Sequence, residues 1–267
     1  MYLSVIIPFY NGDLHRERNI RAVIRSALAS LELDSELIVY EQVSKTNLSE
    51  FSSDPRFRHF CSNDKKWNKS TCWNEAFKLT KGDNILGLDA DIIVNENTFK
   101  KESIDKYIEN KLTYPFSDIV DMSISETTAY CEDTRFLKHI DVEASANRLR
   151  NGRRCYGGVW IMPREAFVQI GGYDNNFEIW GGEDDTFHWI STALFTRDKV
   201  SRLNGLIYHL WHPITNTSDY LKSESYTNIV NHKTRIMTKY YDTITAPKYC
   251  KIQRYLNGLV GYENTLV

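Results

Sequence analysis

Three short stretches of the sequence carry side chains able to do chemistry. Asp89-Ala90-Asp91 sets two carboxylates either side of a small residue. Such a pair can reach one divalent cation with nothing bulky between. Hard cations such as Mg²⁺ and Mn²⁺ favour oxygen ligands and share their shell with substrate phosphates. Alone, the tripeptide is weak evidence and is more often a solvated turn after a strand. The second stretch is Trp180-Gly181-Gly182-Glu183-Asp184-Asp185. Its paired glycines let backbone approach a ligand closely, and its three acids crowd like charges, which raises a carboxyl pKa and suits a general base. Acids at a helix start explain the carboxylates but not the glycines or Trp180. The third stretch, Tyr208-His209-Leu210-Trp211-His212-Pro213, holds two of the seven histidines three residues apart. Neutral imidazole is an acceptable Mn²⁺ ligand beside carboxylates.

The elements around these residues follow from hydrophobic pattern. Residues 3–8 and 84–88 are short, continuous apolar runs, as in strands buried on both faces, and 36–41 reads likewise. Between the first two strands, Ile20, Val23, Ile24, Ala27, Leu28 and Leu31 recur at helical spacing, with Arg18, Arg21 and Arg25 facing water. A short strand is expected at 56–60 and a helix over 70–80, stopping at Gly82. Strand and helix alternate as in a doubly wound α/β domain, whose ligands gather at the carboxyl ends of the strands. Asn11, Glu41, Asp89 and Asp91 all fall on that rim. Further along, the pattern predicts a helix over 97–110, strands over 116–125 and 127–137, and a strand over 156–162. A helix over 163–170, a tight turn at Gly171-Gly172, a helix over 186–194 and a strand-like stretch over 203–208 complete the reading.

Composition narrows the classes. The chain has 267 residues and a net charge of −2, with no basic face for nucleic acid. Five cysteines at wide spacings, with no CxxC pair, read as free buried thiols rather than disulfides or a zinc site. No stretch approaches a membrane span or a signal peptide, so a cytoplasmic protein is expected, with peripheral contact to the inner face of a membrane compatible with that.

Taken together, SVIIPFYN, the DAD, GGVWIMPREAFVQIGGYD, WGGEDD and HLWHP resemble the inverting GT-A glycosyltransferases of family 2 and the β-1,4-galactosyltransferases. There is further similarity to polypeptide N-acetylgalactosaminyltransferase and chondroitin-polymerase domains. The resemblance covers roughly residues 1 to 215. It implies a Rossmann-like GT-A fold in which 1–95 form a nucleotide-binding half and 96–215 an acceptor-binding half, with 216–267 a helical or irregular C-terminal extension. It places Pro8, Tyr10, Asn11, Glu41, Lys69 and Asn74 near the nucleotide donor, together with Asp89 and Ala90 of the DXD motif. Gly157, Gly158 and Trp160 shape the donor sugar site. Trp180 stacks on the acceptor, beside Gly181, Gly182 and Asp185. Asp184 is the implied base and Glu183 assists it. Asp89 and Asp91 bind the metal, Mn²⁺ or Mg²⁺. The galactosyltransferases end an M-x-x-H pattern on a metal-binding histidine. His209 stands here for the Met and His212 for the His, so either imidazole is a candidate. Glu41-Gln42 replaces the aspartate pair of the wider family.

The expected activity is transfer of galactose or N-acetylgalactosamine from a UDP-sugar to a glycan or glycoconjugate hydroxyl, as in polysaccharide biosynthesis. The alternatives are a nucleotidyltransferase acting on a sugar phosphate, for which the basic phosphate loop is missing after the first strand, and a non-catalytic glycan-binding module using Trp160 and Trp180.

Overall fold

In the computed structural model, β1 (Leu3–Phe9) is buried along its whole length and pairs in parallel with β2 (Ser35–Glu41) on one side. The structure describes residues 1–139, 149–152, 155–177, 181–213 and 231–232. α1 (Leu14–Ser30) connects β1 to β2, and its start is fixed by Asp13, whose side chain accepts from the His15 and Arg16 N–H groups. Its buried stripe includes Ile20, Val23, Ile24, Ala27 and Leu28, as the helical spacing predicts. Arg18 departs from the expectation of facing water: it donates to Thr128.

β3 (Phe57–Cys61) extends the sheet beyond β2. α2 (Lys69–Leu79), capped by Asn68, returns the chain to β4 (Asn84–Leu88), which pairs in parallel with the other side of β1. Because β1 leads to β2 on one side while β4 lies on the other, the β1–β4 boundary is where strand order reverses. In open α/β sheets that is where a crevice forms.

After the DAD, β5 (Ile92–Ile93) leaves the main sheet. A short 3₁₀ turn at Glu96–Phe99 and α3 (Lys101–Tyr107) take the place of the single helix expected over 97–110. Then come β6 (Leu112–Tyr114) and β7 (Asp118–Asp121). The strand expected over 127–137 is instead α4 (Ile124–Glu132), followed by a 3₁₀ segment. Its start is a capping box: the Ser123 hydroxyl accepts from the Glu126 N–H and the Glu126 carboxylate accepts from the Ser123 N–H. That local signal outweighs the strand propensity of Thr127 and Thr128.

β8 (Leu149–Asn151) and β9 (Val159–Pro163) follow, then α5 (Arg164–Ile170), ended by Gly171 at φ 85°. α6 (Glu183–Phe195), β10 (Val200–Arg202) and β11 (Leu206–His209) follow. Among the described residues the main sheet has seven strands in the order β10-β6-β9-β4-β1-β2-β3, and a second sheet has four, β5-β11-β7-β8. β9 runs antiparallel to β4, so the sheet is mixed. The DAD is the hinge between the sheets: β4 ends at Leu88 and β5 begins at Ile92, where it pairs with His209 of β11. Among the described residues no helix is long and apolar enough to cross a membrane.

Candidate active site

Lys69, the first residue of α2, stands at the centre of the crevice. Its Nζ lies 3.0 Å from an Asp89 oxygen, 3.1 Å from Asp184 Oδ2 and 3.7 Å from Glu183 Oε1. Burial disfavours the ammonium, yet the Asp184, Asp89 and Glu183 carboxylates outweigh it and hold the Lys69 pKa well above its ordinary value. One cation thereby offsets three carboxylates drawn from two distant parts of the chain. The Asp89 carboxyl is pushed up by burial and by Asp184 and Asp91, with Lys69 opposing. Burial and the adjacent Asp184 raise Glu183 as well.

The acids are placed by backbone as much as by side chains. Gly181 and Gly182 hold φ 103° and 96°, a region L side chains rarely adopt, and so turn the chain into α6 with Glu183, Asp184 and Asp185 in its first turn. The Gly181 N–H donates to Glu183 Oε2 at 3.0 Å. Tyr173 is clamped between Trp73 (ring centroids 5.6 Å apart) and Phe187 (4.3 Å), and this stack aims its hydroxyl at Asp184 Oδ1, 3.3 Å away. A Cβ at Gly157 would stand 2.5 Å from Asp184 Oδ2, so a larger residue there would push the Asp184 carboxylate aside. The next N–H, from Gly158 at φ 92°, donates to Asp89 Oδ2 at 3.0 Å.

Asp91 belongs to a neighbouring group. Its Oδ2 is 3.2 Å from His212 Nε2 and 3.9 Å from His209 Nε2, and β11 delivers both imidazoles because it pairs with β5 immediately after the DAD. His209 Nδ1 is 2.9 Å from Asp121 Oδ1, and His212 Nδ1 is 3.0 Å from the Pro213 carbonyl. These outer contacts leave each Nε2 facing Asp91, the carboxylate–imidazole arrangement that orients metal ligands. Burial opposes ionisation of Asp91, but His212, His209 and Arg16 hold its carboxyl well below the usual range. One carboxylate and two imidazoles whose ligand atoms lie within 4.8 Å of one another fit Mn²⁺. Asp89 lies beside this set, and its carboxylate accepts from Lys69 and the Gly158 N–H. Beside the DAD, then, the metal-capable group is Asp91, His209 and His212, with both histidines where the sequence offered either.

Several expected contacts fall elsewhere. Trp160 is 1% exposed, packed against Trp73, Phe167 and Phe187, and a Cβ at Gly87 would overlap its indole. It is core and cannot shape a sugar site. Asn74, 2% exposed, is a pin: it donates to the Tyr173 carbonyl and accepts from the Tyr173 N–H. Pro8 is buried in mid-sheet opposite Tyr40. Glu41 is fully buried, accepting from Ser44, Thr46 and His59; burial works against its charge, but those hydrogen bonds pull its carboxyl down to about 2. Asn11 donates to Glu17 and Thr46. Tyr10 remains at the surface, stacked on Trp67 at 5.8 Å. Ala90 and Asp185 are half-buried at the crevice, and Trp180 lies outside the described residues.

The GT-A comparison rests on fold. Over 97% of this chain and 70% of the other, the structure resembles S. aureus TarS residues 1–349 in complex with UDP-GlcNAc, at TM-score 0.61 and 16% identity. The complex of the same protein with UDP gives TM-score 0.61 and 15% identity, over the same shares. Mycobacterium tuberculosis glucosyl-3-phosphoglycerate synthase, in complex with Mn²⁺, UDP and glucosyl-3-phosphoglycerate, matches at TM-score 0.53 and 15% identity, over 90% of this chain and 79% of that one. The chain has the GT-A glycosyltransferase fold. Residues 138–190 match the family described as the N-terminal domain of galactosyltransferase. Fold and matched segment together support a glycosyltransferase. Among curated proteins, no relative matches the chain.

Within this GT-A crevice the sequence reading missed Tyr173, Asp121 and Gln42. Tyr173 sits in the quoted GGYD, but only the fold shows its hydroxyl against Asp184. Gln42 accepts from the Asn68 N–H and so seats the cap of α2 and the Lys69 beside it.

His188, one turn into α6, supplies a pH test of the packing behind the acids. Its ring stacks on Tyr156 at 3.6 Å, and burial, with Arg202 and Arg197 nearby, lowers its pKa to about 3. The unfolded imidazole binds its proton near the ordinary 6.5, so the folded state loses stability as pH falls from about 6.5 toward 3, by up to about 1.4 kcal/mol per pH unit. His188→Phe keeps the stack and removes the proton. Urea midpoints at pH 4.5 and 7 should lie closer together in this variant than in the parent, and an unchanged gap would assign the acid sensitivity to other groups.

Proposed function

We propose that the chain is a metal-dependent, inverting glycosyltransferase that moves galactose or N-acetylgalactosamine from a UDP-sugar to a hydroxyl of a glycan acceptor. The observation that carries the reading is the juxtaposition, around the DAD, of Lys69 bridging Asp89 to Asp184 with the Asp91, His209 and His212 trio. Residues 1–95 supply the nucleotide side and 96–215 the acceptor side, and 216–267 form an extension.

In this reading Asp184 accepts the proton of the acceptor hydroxyl as that oxygen attacks the anomeric carbon opposite the leaving diphosphate, which inverts configuration. Tyr173 and Lys69 hold the carboxylate in place for that step. Glu183 and Asp185, with Gly181 and Gly182, border the acceptor. Asp89 and Lys69 face the donor, and Tyr10, exposed and stacked on the half-buried Trp67, offers an aromatic surface to the base. A Mn²⁺ held by Asp91, His209 and His212 would neutralise charge developing on the diphosphate. The galactosyltransferase match in 138–190 favours the galactose series, and the UDP complexes of the fold relatives favour uridine.

A thermal-shift series separates this from glycan binding without nucleotide. UDP with Mn²⁺ should raise the melting temperature of the parent chain by mass action. His212→Ala should remove the metal-dependent part of the shift. Stabilisation by GDP or dTDP alone, or none by any nucleotide, would count against a UDP-sugar donor.

A further inference from the structure

Away from the Asp91 trio, the ends of β2 and β3 bring together a second set of unlike ligands. Glu41 and Cys61 are cross-strand partners, and His59 lies two residues before Cys61 on the same face. His59 Nε2 is 2.9 Å from Glu41 Oε2, Cys61 Sγ is 3.8 Å from that oxygen, and Cys61 Sγ is 3.5 Å from His59 Nε2. Bond lengths of about 2.3 Å for zinc–sulfur and about 2.0–2.2 Å for zinc–nitrogen and zinc–oxygen put tetrahedral ligand edges near ~3.4 Å for N–O and ~3.6 Å for S–N and S–O. The triangle already present differs from that by half an ångström or less.

We propose that Glu41, His59 and Cys61 form a second metal site, selective for a thiolate-accepting divalent cation of the Zn²⁺ or Co²⁺ class, with its fourth position open to solvent. Selectivity follows from the sulfur: Mg²⁺ and Mn²⁺ prefer oxygen, whereas a thiolate with an imidazole suits zinc. The site is built on paired strands rather than a loop, and the Ser44 hydroxyl and the Thr46 N–H and hydroxyl fix the Glu41 carboxylate from behind. Cys61 is exposed and gives the ion its way in. The proton balance is simple. A carboxylate only accepts, so His59 carries its proton on Nε2 in the hydrogen bond to Glu41. On metal binding the ring keeps one N–H, at Nδ1, and Cys61 releases one proton to solvent as its sulfur bonds the ion.

Nothing in the cysteine pattern marks this site, since wide spacing reads against a zinc site and for buried thiols. Of the four described cysteines only Cys72 is buried; Cys131 and Cys155 are half-buried, and Cys250 lies outside the described residues.

Titration of the full reduced chain with Co²⁺, followed by absorption, tests the site without reference to sugar transfer. One equivalent should produce a thiolate-to-cobalt charge-transfer band in the near ultraviolet. Cobalt at Asp91, His209 and His212 has no sulfur and gives no such band. Cys61→Ser should abolish the band, while its urea midpoint without metal stays that of the parent. His59→Ala should weaken cobalt binding roughly tenfold or more, the scale on which even outer-shell partners act. No band in the parent, a band unchanged by Cys61→Ser, or cobalt affinity unchanged by His59→Ala would each overturn the proposal. A cobalt band in a chain that UDP and Mn²⁺ fail to stabilise would leave this site standing and remove the donor assignment instead.

Discussion

Asp184→Asn is expected to fold as the parent does and to transfer sugar about 10²- to 10⁴-fold more slowly, the contribution of one positioned base. The substitution is nearly isosteric. An amide oxygen still accepts from the Tyr173 hydroxyl, and Lys69 retains Asp89 at 3.0 Å. What is lost is the ability to take a proton. The loss should therefore appear in kcat, with UDP plus Mn²⁺ stabilising variant and parent equally, because the donor's diphosphate is assigned to other residues. Turnover near the parent's with saturating donor would move the base elsewhere, and Glu183 would be the next to examine.

Lys69→Met should lower stability at pH 7 by about 3–5 kcal/mol, the scale on which removal of one partner leaves buried charge uncompensated. The side chain is 16% exposed, and three carboxylates converge on it. Without the ammonium, Asp89, Asp184 and Glu183 repel one another with little solvent to screen them. Protonation relieves that repulsion, so the folded variant takes up protons more readily than the unfolded chain. Its deficit relative to the parent should shrink between pH 7 and pH 5. Urea midpoints at the two pH values read this directly. A deficit that is small, or that grows on acidification, would show that Lys69 is not the counter-charge of the acids.

The parts of the fold legible in sequence were those set by local pattern. β1 and β4 are runs buried on both faces, and α2 declares itself through Asn68, its apolar face and Gly82. α4 differs from the expected strand: Thr127, Thr128 and Tyr130 have strand propensity, but Ser123 and Glu126 spell a helix cap. The site divides in the same way. The carboxylates and histidines could be picked out by type, but their grouping depends on pairings between segments far apart in the chain. Only the β5–β11 ladder shows that His209 and His212 both meet Asp91, and only the meeting of α2 with α6 shows that Lys69 joins Asp89 to Asp184. Trp160 failed as a sugar platform for a packing reason: Gly87, on the facing strand, leaves the space its indole fills.

The most direct test is incubation of the chain with a panel of UDP-sugars and glycan acceptors, with and without Mn²⁺, followed by mass spectrometry. The expected product is an acceptor heavier by one hexose or N-acetylhexosamine, formed with release of UDP, dependent on Mn²⁺ and nearly absent in Asp184→Asn. Product formed only from a GDP- or dTDP-sugar, or at the same rate without metal and without Asp184, would contradict it.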